Sequence, residues 1–430
     1  MSLINSARTW VYSASVKGRF QRVHRWSGAA LQAILFVTPW VVIDGHPAVQ
    51  ADVPGRRLYA FGAVFTPTDT LLLVLMGLFI AFTMFLFTAV YGRLWCGYAC
   101  PQTVFLEEWV RPIERWTEGE RGARMARDKG PLTVEKVRRK GAKWLAYLGL
   151  ASVVAMAFMS WFAGPRPLWT GQAAPGYYGL TLAVTAGMFL DFVWFREQFC
   201  NFLCPYARLQ GVLCDDQSLV VAYDAARGEP RKGGAGACID CNKCVAVCPQ
   251  GIDIRDGFQL ECVTCARCVD ACQIVMDKRG QPNLINYATL SGERHNVRPR
   301  TVVYASLLSV IALAFFTVLL TRSPVDGNIS RVAGSTYVTD TDGWIRNTYM
   351  LRLTNHENHA ETWEVSVAGL DSAEIIAPAI HLTGAGTTTV PVVVRVPPGH
   401  LSAQSVPLRV VVQAHDDVLS FNATFMSDGG

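Results

Sequence analysis

The stretches Cys238-Ile239-Asp240-Cys241-Asn242-Lys243-Cys244-Val245-Ala246-Val247-Cys248-Pro249 and Cys262-Val263-Thr264-Cys265-Ala266-Arg267-Cys268-Val269-Asp270-Ala271-Cys272-Gln273 write the same cysteine rhythm, CxxCxxCxxxC, twice. Two-residue gaps let one tight loop aim three sulfurs at three corners of a cubane, and the fourth cysteine, beyond a turn, reaches the neighbouring cubane. The spacing predicts two [4Fe-4S] clusters with crossed ligation. Cys238, Cys241, Cys244 and Cys272 are expected to hold one, and Cys262, Cys265, Cys268 and Cys248 the other. Pro249 follows the first motif as the bacterial ferredoxin pattern requires, whereas Gln273 stands where the second proline belongs. That departure changes no ligand. Zinc sites or a disulfide framework do not need a third and fourth cysteine at these offsets.

Outward from this stretch the chain is unlike a soluble ferredoxin. It has 430 residues, of which 51% are hydrophobic and only 17% charged. Five apolar runs approach the roughly 20 residues that a helix needs to cross a bilayer core: Ser27 to Ile43, Thr70 to Val90, Trp144 to Ala163, Tyr178 to Phe195 and Thr301 to Leu320. The first is the shortest, contains Pro39, and lacks the small-residue cleavage site of a signal peptide. The fold class expected is a polytopic α-helical membrane protein of about five spans, carrying a two-cluster ferredoxin-like insert and a C-terminal all-β domain.

Short loops rich in Lys and Arg stay on the cytoplasmic side. Arg8, Lys17, Arg19, Arg22 and Arg25 precede the first span with no acidic residue among them, and the segment 91–143 holds Arg111, Arg115, Arg121, Arg124, Arg127, Lys129, Lys136, Arg138, Arg139, Lys140 and Lys143. Both segments are expected inside. Alternation then divides the chain into a cytoplasmic segment 1–26, a four-helix region 27–195 with its basic loop 91–143, a cytoplasmic cluster region 196–300, a fifth span 301–321 and an external domain 322–430. All 13 cysteines fall in or beside the inside segments, where thiols stay reduced. The net charge of +5 is a topology signal; it calls for a lipid bilayer and no nucleic acid.

The tail from Arg322 has neither Cys nor Lys. Alternations at 349–354, 363–367 and 392–396, with turn signals at 355–359, 369–372, 384–386 and 397–399, have the period of half-buried strands. They predict a β-sandwich of immunoglobulin type without the inter-sheet disulfide. His356 and His359 are expected in a solvated turn and not on a metal.

Two further pairs share one pattern: Cys96-Gly97-Tyr98-Ala99-Cys100-Pro101 and Cys200-Asn201-Phe202-Leu203-Cys204-Pro205. A spacing of four puts both sulfurs of a pair on one helix face, near enough to chelate a soft metal ion or to form a disulfide after adjustment. Cys96 follows the second span and Cys200 the fourth, so both pairs lie at one depth, and four thiolates converge if those spans are neighbours. Soft thiolates favour Cu(I), with zinc in competition; two buried small residues per pair is the plainer alternative. Cys214 has no partner at useful spacing. Asp191 lies a turn from the end of the fourth span, where a carboxylate either lines a functional interior or snorkels. Met156 and Met159 read as apolar packing.

Together these residues resemble the cytochrome c oxidase accessory proteins, the FixG/RdxA/CcoG group of bacterial membrane polyferredoxins. The resemblance rests on Trp95-Cys96-Gly97 through Cys100-Pro101-Gln102-Thr103, on Cys204-Pro205-Tyr206-Ala207-Arg208, on Tyr223-Asp224 with Arg227-Gly228-Glu229-Pro230-Arg231, and on Gly251-Ile252-Asp253-Ile254-Arg255-Asp256-Gly257. It implies a protein of the bacterial inner membrane, with clusters cytoplasmic and the sandwich periplasmic, that reduces Cu(II) to Cu(I) during assembly of cbb3-type cytochrome oxidase. Cys96, Cys100, Cys200 and Cys204 then become the copper or redox residues. The partners implied are oxidase subunits or copper export and chaperone proteins, and an electron donor that the sequence does not name. Two other functions compete: an electron-transfer subunit fed by quinol or another donor for a different terminal reductase, and a non-enzymatic copper-binding scaffold.

Overall fold

The computed structural model describes residues 10–231, 235–292, 297–332, 334, 336–357, 359–370, 372–384, 386–397, 399–401, 403–415 and 417–427. Arg8 of the basic N-terminal segment and Asn358, Asp371, Ala385 and Pro398 of the expected turns lie outside them. The chain forms two compact units, Met1–Val41 with Leu71–Phe316, and Val42–Thr70 with Thr317–Gly430.

In the first unit, four helices among the described residues are long and apolar enough to cross a membrane: Thr70–Tyr91, Val134–Ala163, Pro175–Phe195 and Pro299–Leu320. The most apolar window of Pro299–Leu320 buries nothing inside the protein, as befits a helix whose solvent is lipid. Phe79 stacks on Phe315 at 6.3 Å between ring centroids, which pairs this helix with Thr70–Tyr91. The Val134–Ala163 helix starts ten residues before the apolar run because the Thr133 side chain caps it, accepting the Lys136 amide at 3.2 Å.

The expected first span forms as a helix at Arg19–Val37, earlier than the apolar run, and a 3-10 turn at Thr38–Trp40 ends it. Pro39 cannot continue the helix. Its first two turns carry Arg19, Arg22, His24 and Arg25, so only its second half is apolar. Its start is held by Asp270, whose carboxylate accepts the backbone amides of Phe20 and Gln21 at 3.2 and 2.8 Å. Near its end, Trp161 donates to the Leu35 carbonyl at 3.0 Å, and Trp40 meets Trp169 at 6.3 Å, beyond the far end of Val134–Ala163. This half-charged helix thus reaches from the second cysteine motif to the far end of Val134–Ala163, but it is not among the helices apolar enough to cross a membrane.

The segment 91–143 is not a loop. Helices Leu94–Tyr98, Pro101–Phe105, Arg111–Glu118 and Arg121–Lys129 fill it. Two of its supposed topology residues, Arg111 and Arg124, are buried, because each has a glutamate: Arg111 Nε lies 2.7 Å from Glu107, and Arg124 pairs with Glu114. Arg196 reaches the other Glu114 oxygen at 2.7 Å, Arg267 pairs with Glu107, and Lys143 meets Glu118 at 3.0 Å. Burial alone pushes the Glu114 carboxyl up, but the Arg196 and Arg124 guanidiniums outweigh it and hold it at about 2.

In the second unit, one sheet runs in the order Glu374–Ile376, Thr387–Val396, Ile345–Asn355, Val325–Arg331, with Val338–Thr339 beside the third, and a second runs Ile380–Leu382, Glu361–Ala368, Ser405–Ala414, Asp417–Met426. Leu408, Val410 and Val412 point inward at the strand period and pack with Tyr349, Leu351, Trp363 and Phe425. Residues 42–70 join this unit through a three-stranded sheet, Val49–Asp52, Arg57–Ala60 and Ala63–Phe65. Arg322 clasps them, bonding Asp69 at 2.9 and 2.7 Å and the Val64 carbonyl at 2.7 Å. His356 is correspondingly not in a solvated turn. It is 5% exposed, its Nδ1 accepts from Arg322 at 2.6 Å, and its Nε2 therefore donates to Asp326 at 3.0 Å. His359 is exposed between Glu357 and Glu361, each 3.0 Å away.

Candidate electron-transfer and metal centre

Each CxxCxxC motif is a loop that runs into a helix, Lys243–Val247 at the first and Arg267–Asp277 at the second, so the third cysteines, Cys244 and Cys268, lie at the helix starts. The strands Val220–Tyr223 and Ile285–Ala288 pair antiparallel beside them. Around each central cysteine both neighbours are left-handed: Asp240 and Asn242 have φ of 53° and 55°, Thr264 and Ala266 58° and 57°. None is glycine. Left-handed residues alternating with ordinary ones turn successive N–H groups into one concavity, the backbone nest that favours a negatively charged group. Tyr287 pins the second loop by donating to the Thr264 carbonyl at 2.7 Å.

The two cysteine sets lie close together. Cys248 lies within electrostatic reach of Cys262, Cys265 and Cys268, Cys244 also within reach of Cys268, and Cys272 within reach of Cys238 and Cys241, with Cys241 close to Cys244. Cys244, Cys248, Cys262, Cys265 and Cys268 wall one cavity with Val221 and Ile254. Burial pushes the thiols of Cys244 and Cys262 up to about 11 and those of Cys265 and Cys268 higher still. Thiols so buried stay protonated on their own, and a metal bound there deprotonates them outright. Opposing burial, the amides of Ile252, Gln250 and Gly251 point at Cys248, and those of Leu284 and Ile285 at Cys272. This donor set, four sulfurs per group with amides aimed at them inside an apolar wall, fits an iron–sulfur cubane.

The CxxxCP pairs depart from the expected geometry. Neither lies on one continuous helix: Cys96 is inside Leu94–Tyr98, but Cys100 is extended, φ −64° and ψ 127°, and begins the next helix, Pro101–Phe105. Cys204 is likewise extended, between the π-helical turn Phe199–Leu203 that holds Cys200 and the helix Pro205–Leu213. The prolines are the reason. A residue before proline is pushed out of the helical region, and proline itself suits the first helical position. Each pair thus sets one cysteine in a short helix and the other at a helix start, where the amides of Thr103 and Gln102 reach the Cys100 sulfur.

These pairs also converge, since Cys200 lies within electrostatic reach of Cys100, Cys96 and Cys204. Gln102 ties their elements together, donating to Asp191 at 2.8 Å and to the Arg196 carbonyl at 3.0 Å. Asp191 therefore faces this interior and does not snorkel. Cys96 donates to Gln210 at 2.7 Å, and Gln210, fully buried, donates to Tyr206 at 2.8 Å. Burial pushes the Cys96 thiol up to about 12. On its other side Cys96 packs against Val263 and Cys265 of the second cluster loop. Gly97 makes that approach possible: a Cβ there would stand 2.6 Å from the Val263 carbonyl oxygen and 3.0 Å from the Cys265 backbone. The four-thiol centre and one cluster loop are in direct van der Waals contact.

Comparison with known proteins bears on both centres. Residues 195–235 and 230–290 match a 4Fe-4S dicluster domain, residues 73–117 a 4Fe-4S binding domain, and residues 315–428 the IG-like fold at the C-terminus of FixG. Over most of its length the chain is 37% identical to Protein RdxB of Cereibacter sphaeroides, covering 85% of this chain and 83% of that one. Protein RdxA of the same organism is 35% identical, covering 84% and 83%, and the Nitrogen fixation protein FixG of Rhizobium meliloti is 33% identical, covering 85% and 80%. The chain belongs to the FixG/RdxA family. With its apolar helices and 4Fe-4S regions it is a membrane iron–sulfur electron-transfer protein. Within this family member, sequence reasoning missed Arg93, Gly97, Gln210 and the buried arginine–glutamate network. Gly97 alone had a signal, a glycine inside the CxxxCP motif; the others gain meaning only from what the fold sets beside them.

Proposed function

We propose that this protein reduces Cu(II) to Cu(I) at the four thiols Cys96, Cys100, Cys200 and Cys204 during assembly of cbb3-type cytochrome oxidase. In this reading Cys238, Cys241, Cys244 and Cys272 hold one [4Fe-4S] cluster and Cys262, Cys265, Cys268 and Cys248 the other, on the cytoplasmic side of the bacterial inner membrane, with the sandwich in the periplasm. The clusters, when bound, supply one electron each. The observation that carries the proposal is the contact of Cys96 with Cys265, which gives an electron a short path from one centre to the other.

The chain's own residues do the rest. Soft sulfur donors bind Cu(I) better than Cu(II), so the centre favours the reduced ion. Burial pushes the Cys100 thiol up, and the amides of Thr103 and Gln102 aimed at its sulfur only partly offset this. The cleft lined by Cys200, Asn201, Arg208 and Glu261 gives a route to the thiols. Each Cu(II) takes one electron, leaving one Cu(I) and one oxidised cluster, and the thiols that bind the ion release their protons to solvent. Cu(I) then passes to a chaperone, an export pump or the oxidase subunits.

A second reading has its own support: residues 73–117 and 195–235, which contain both pairs, match 4Fe-4S families, and four thiolates also suit an iron–sulfur centre. One experiment separates them. Protein with reduced clusters is mixed anaerobically with Cu(II) in the presence of a chromogenic Cu(I) chelator. Cluster bleaching with stoichiometric Cu(I), slowed in the Cys96→Ser, Cys200→Ser double variant, supports the reductase. Loss of iron in that variant with no change in the copper rate would support a third cluster instead, and exchange with quinol but not with copper would replace copper by a quinone partner.

A further inference from the structure

Arg93 sits in the turn between the Thr70–Tyr91 and Leu94–Tyr98 helices. It is 4% exposed and lines the cleft that also contains Cys200 and Arg208. Arg111, Arg124, Arg196 and Arg267 are buried to a similar degree, and every one of them has a glutamate. Arg93 has none: among the described residues no carboxylate lies within ion-pair distance of its guanidinium. A buried cation with no counter-charge is strongly destabilising. Its charge is directed at sulfur instead. The Cys96 thiol is beside it, and Cys200, Cys214 and Cys262 feel its field.

Four thiolates around a copper ion, a zinc ion or an iron–sulfur cube all leave a net negative charge. The missing partner of Arg93 is therefore a metal–thiolate centre. We propose that Arg93 is the fixed counter-charge of the four-thiol centre, holding the metal there as an anionic thiolate complex and favouring its reduced state. This rests on the reading that Cys96, Cys100, Cys200 and Cys204 hold a metal. Arg93 acts through the sulfurs and is a positioning residue. A cation beside the centre stabilises whichever oxidation state carries more negative charge, which is the reduced one. Its removal lowers both the affinity for Cu(I) and the midpoint potential.

The test uses the full-length, cluster-loaded protein and Cu(I) itself, with affinity read by competition against a Cu(I) chelator. Arg93→Gln is expected to weaken Cu(I) binding about 10–100-fold, the usual effect of removing a group that supports metal ligands. Arg93→Lys, which keeps the charge, is expected to restore most of it. Iron retained at the two CxxCxxCxxxC motifs reports that each variant folds. An unchanged affinity in Arg93→Gln, or a loss as large in Arg93→Lys, overturns the proposal. The Cys96→Ser, Cys200→Ser double variant tests the underlying reading separately. If it loses iron and not Cu(I) binding, copper alone is ruled out; the counter-charge must then appear as a lower midpoint potential of that third cluster in Arg93→Gln and not in Arg93→Lys, and an unchanged potential overturns it. If it loses neither metal, the four-thiol reading and the counter-charge fall together.

Discussion

The two sulfur-rich regions of this protein are built on opposite principles. The eight cysteines from Cys238 to Cys272 come from one short stretch, so loop geometry alone brings them together, and the protein adds a nest of left-handed residues around Cys241 and Cys265. The four thiols at Cys96, Cys100, Cys200 and Cys204 come from elements about 100 residues apart in sequence. They meet only because two spans, Thr70–Tyr91 and Pro175–Phe195, deliver two proline-broken turns to one place, braced by Gln102 and Gln210. The first region is a motif and the second is a product of the fold. The ligands of the first should survive damage elsewhere, whereas the second should be sensitive to any change in how its elements pack.

The largest effect expected concerns the crossing within the first region. Cys248→Ser should cost about half of the iron that eight cysteines of two [4Fe-4S] sites hold, and alkylation followed by mass spectrometry should find Cys262, Cys265 and Cys268 newly reactive while Cys238, Cys241 and Cys244 stay protected. The reverse pattern would mean that each motif ligates its own cluster. Next comes the ionic layer beneath both regions. Glu114→Gln leaves Arg196 and Arg124 buried without their carboxylate and should destabilise the protein by about 3–5 kcal/mol, measured by urea unfolding in detergent. Because the folded Glu114 carboxyl is held at about 2, below its ordinary value of 4.5, this stabilisation is complete above the ordinary value and disappears as pH falls towards 2. The gap between wild type and Glu114→Gln should close over that interval. The smallest effect is at the contact between the regions. Gly97→Ala puts a Cβ against the Val263 carbonyl and should cost about 1–3 kcal/mol. Cluster iron should be unchanged in that variant, but copper-driven cluster oxidation in stopped flow should slow.

The same contrast explains what could be read from the sequence. Four of the apolar spans and the strand alternation at 349–354, 363–367 and 392–396 are local patterns, and the structure has them where the patterns lie. Residues 42–70 gave no sign that they belong with the C-terminal unit, since the Arg322–Asp69 clasp joins positions far apart in the chain. Arg111 and Arg124 look like topology markers because the sequence does not reveal that Glu107 and Glu114 neutralise them in the interior. The two CxxxCP pairs were visible as pairs. A shared helix face does not form because Pro101 and Pro205 push Cys100 and Cys204 out of the helical region, and their convergence depends on the fold.

That convergence is the claim most exposed to test. Cu(I) titration of the cluster-loaded protein, with copper counted per chain, measures it directly. One shared centre predicts a single tight Cu(I) equivalent that is lost alike in Cys100→Ser and in Cys204→Ser. Two independent equivalents, each variant losing one and keeping the other, would contradict it.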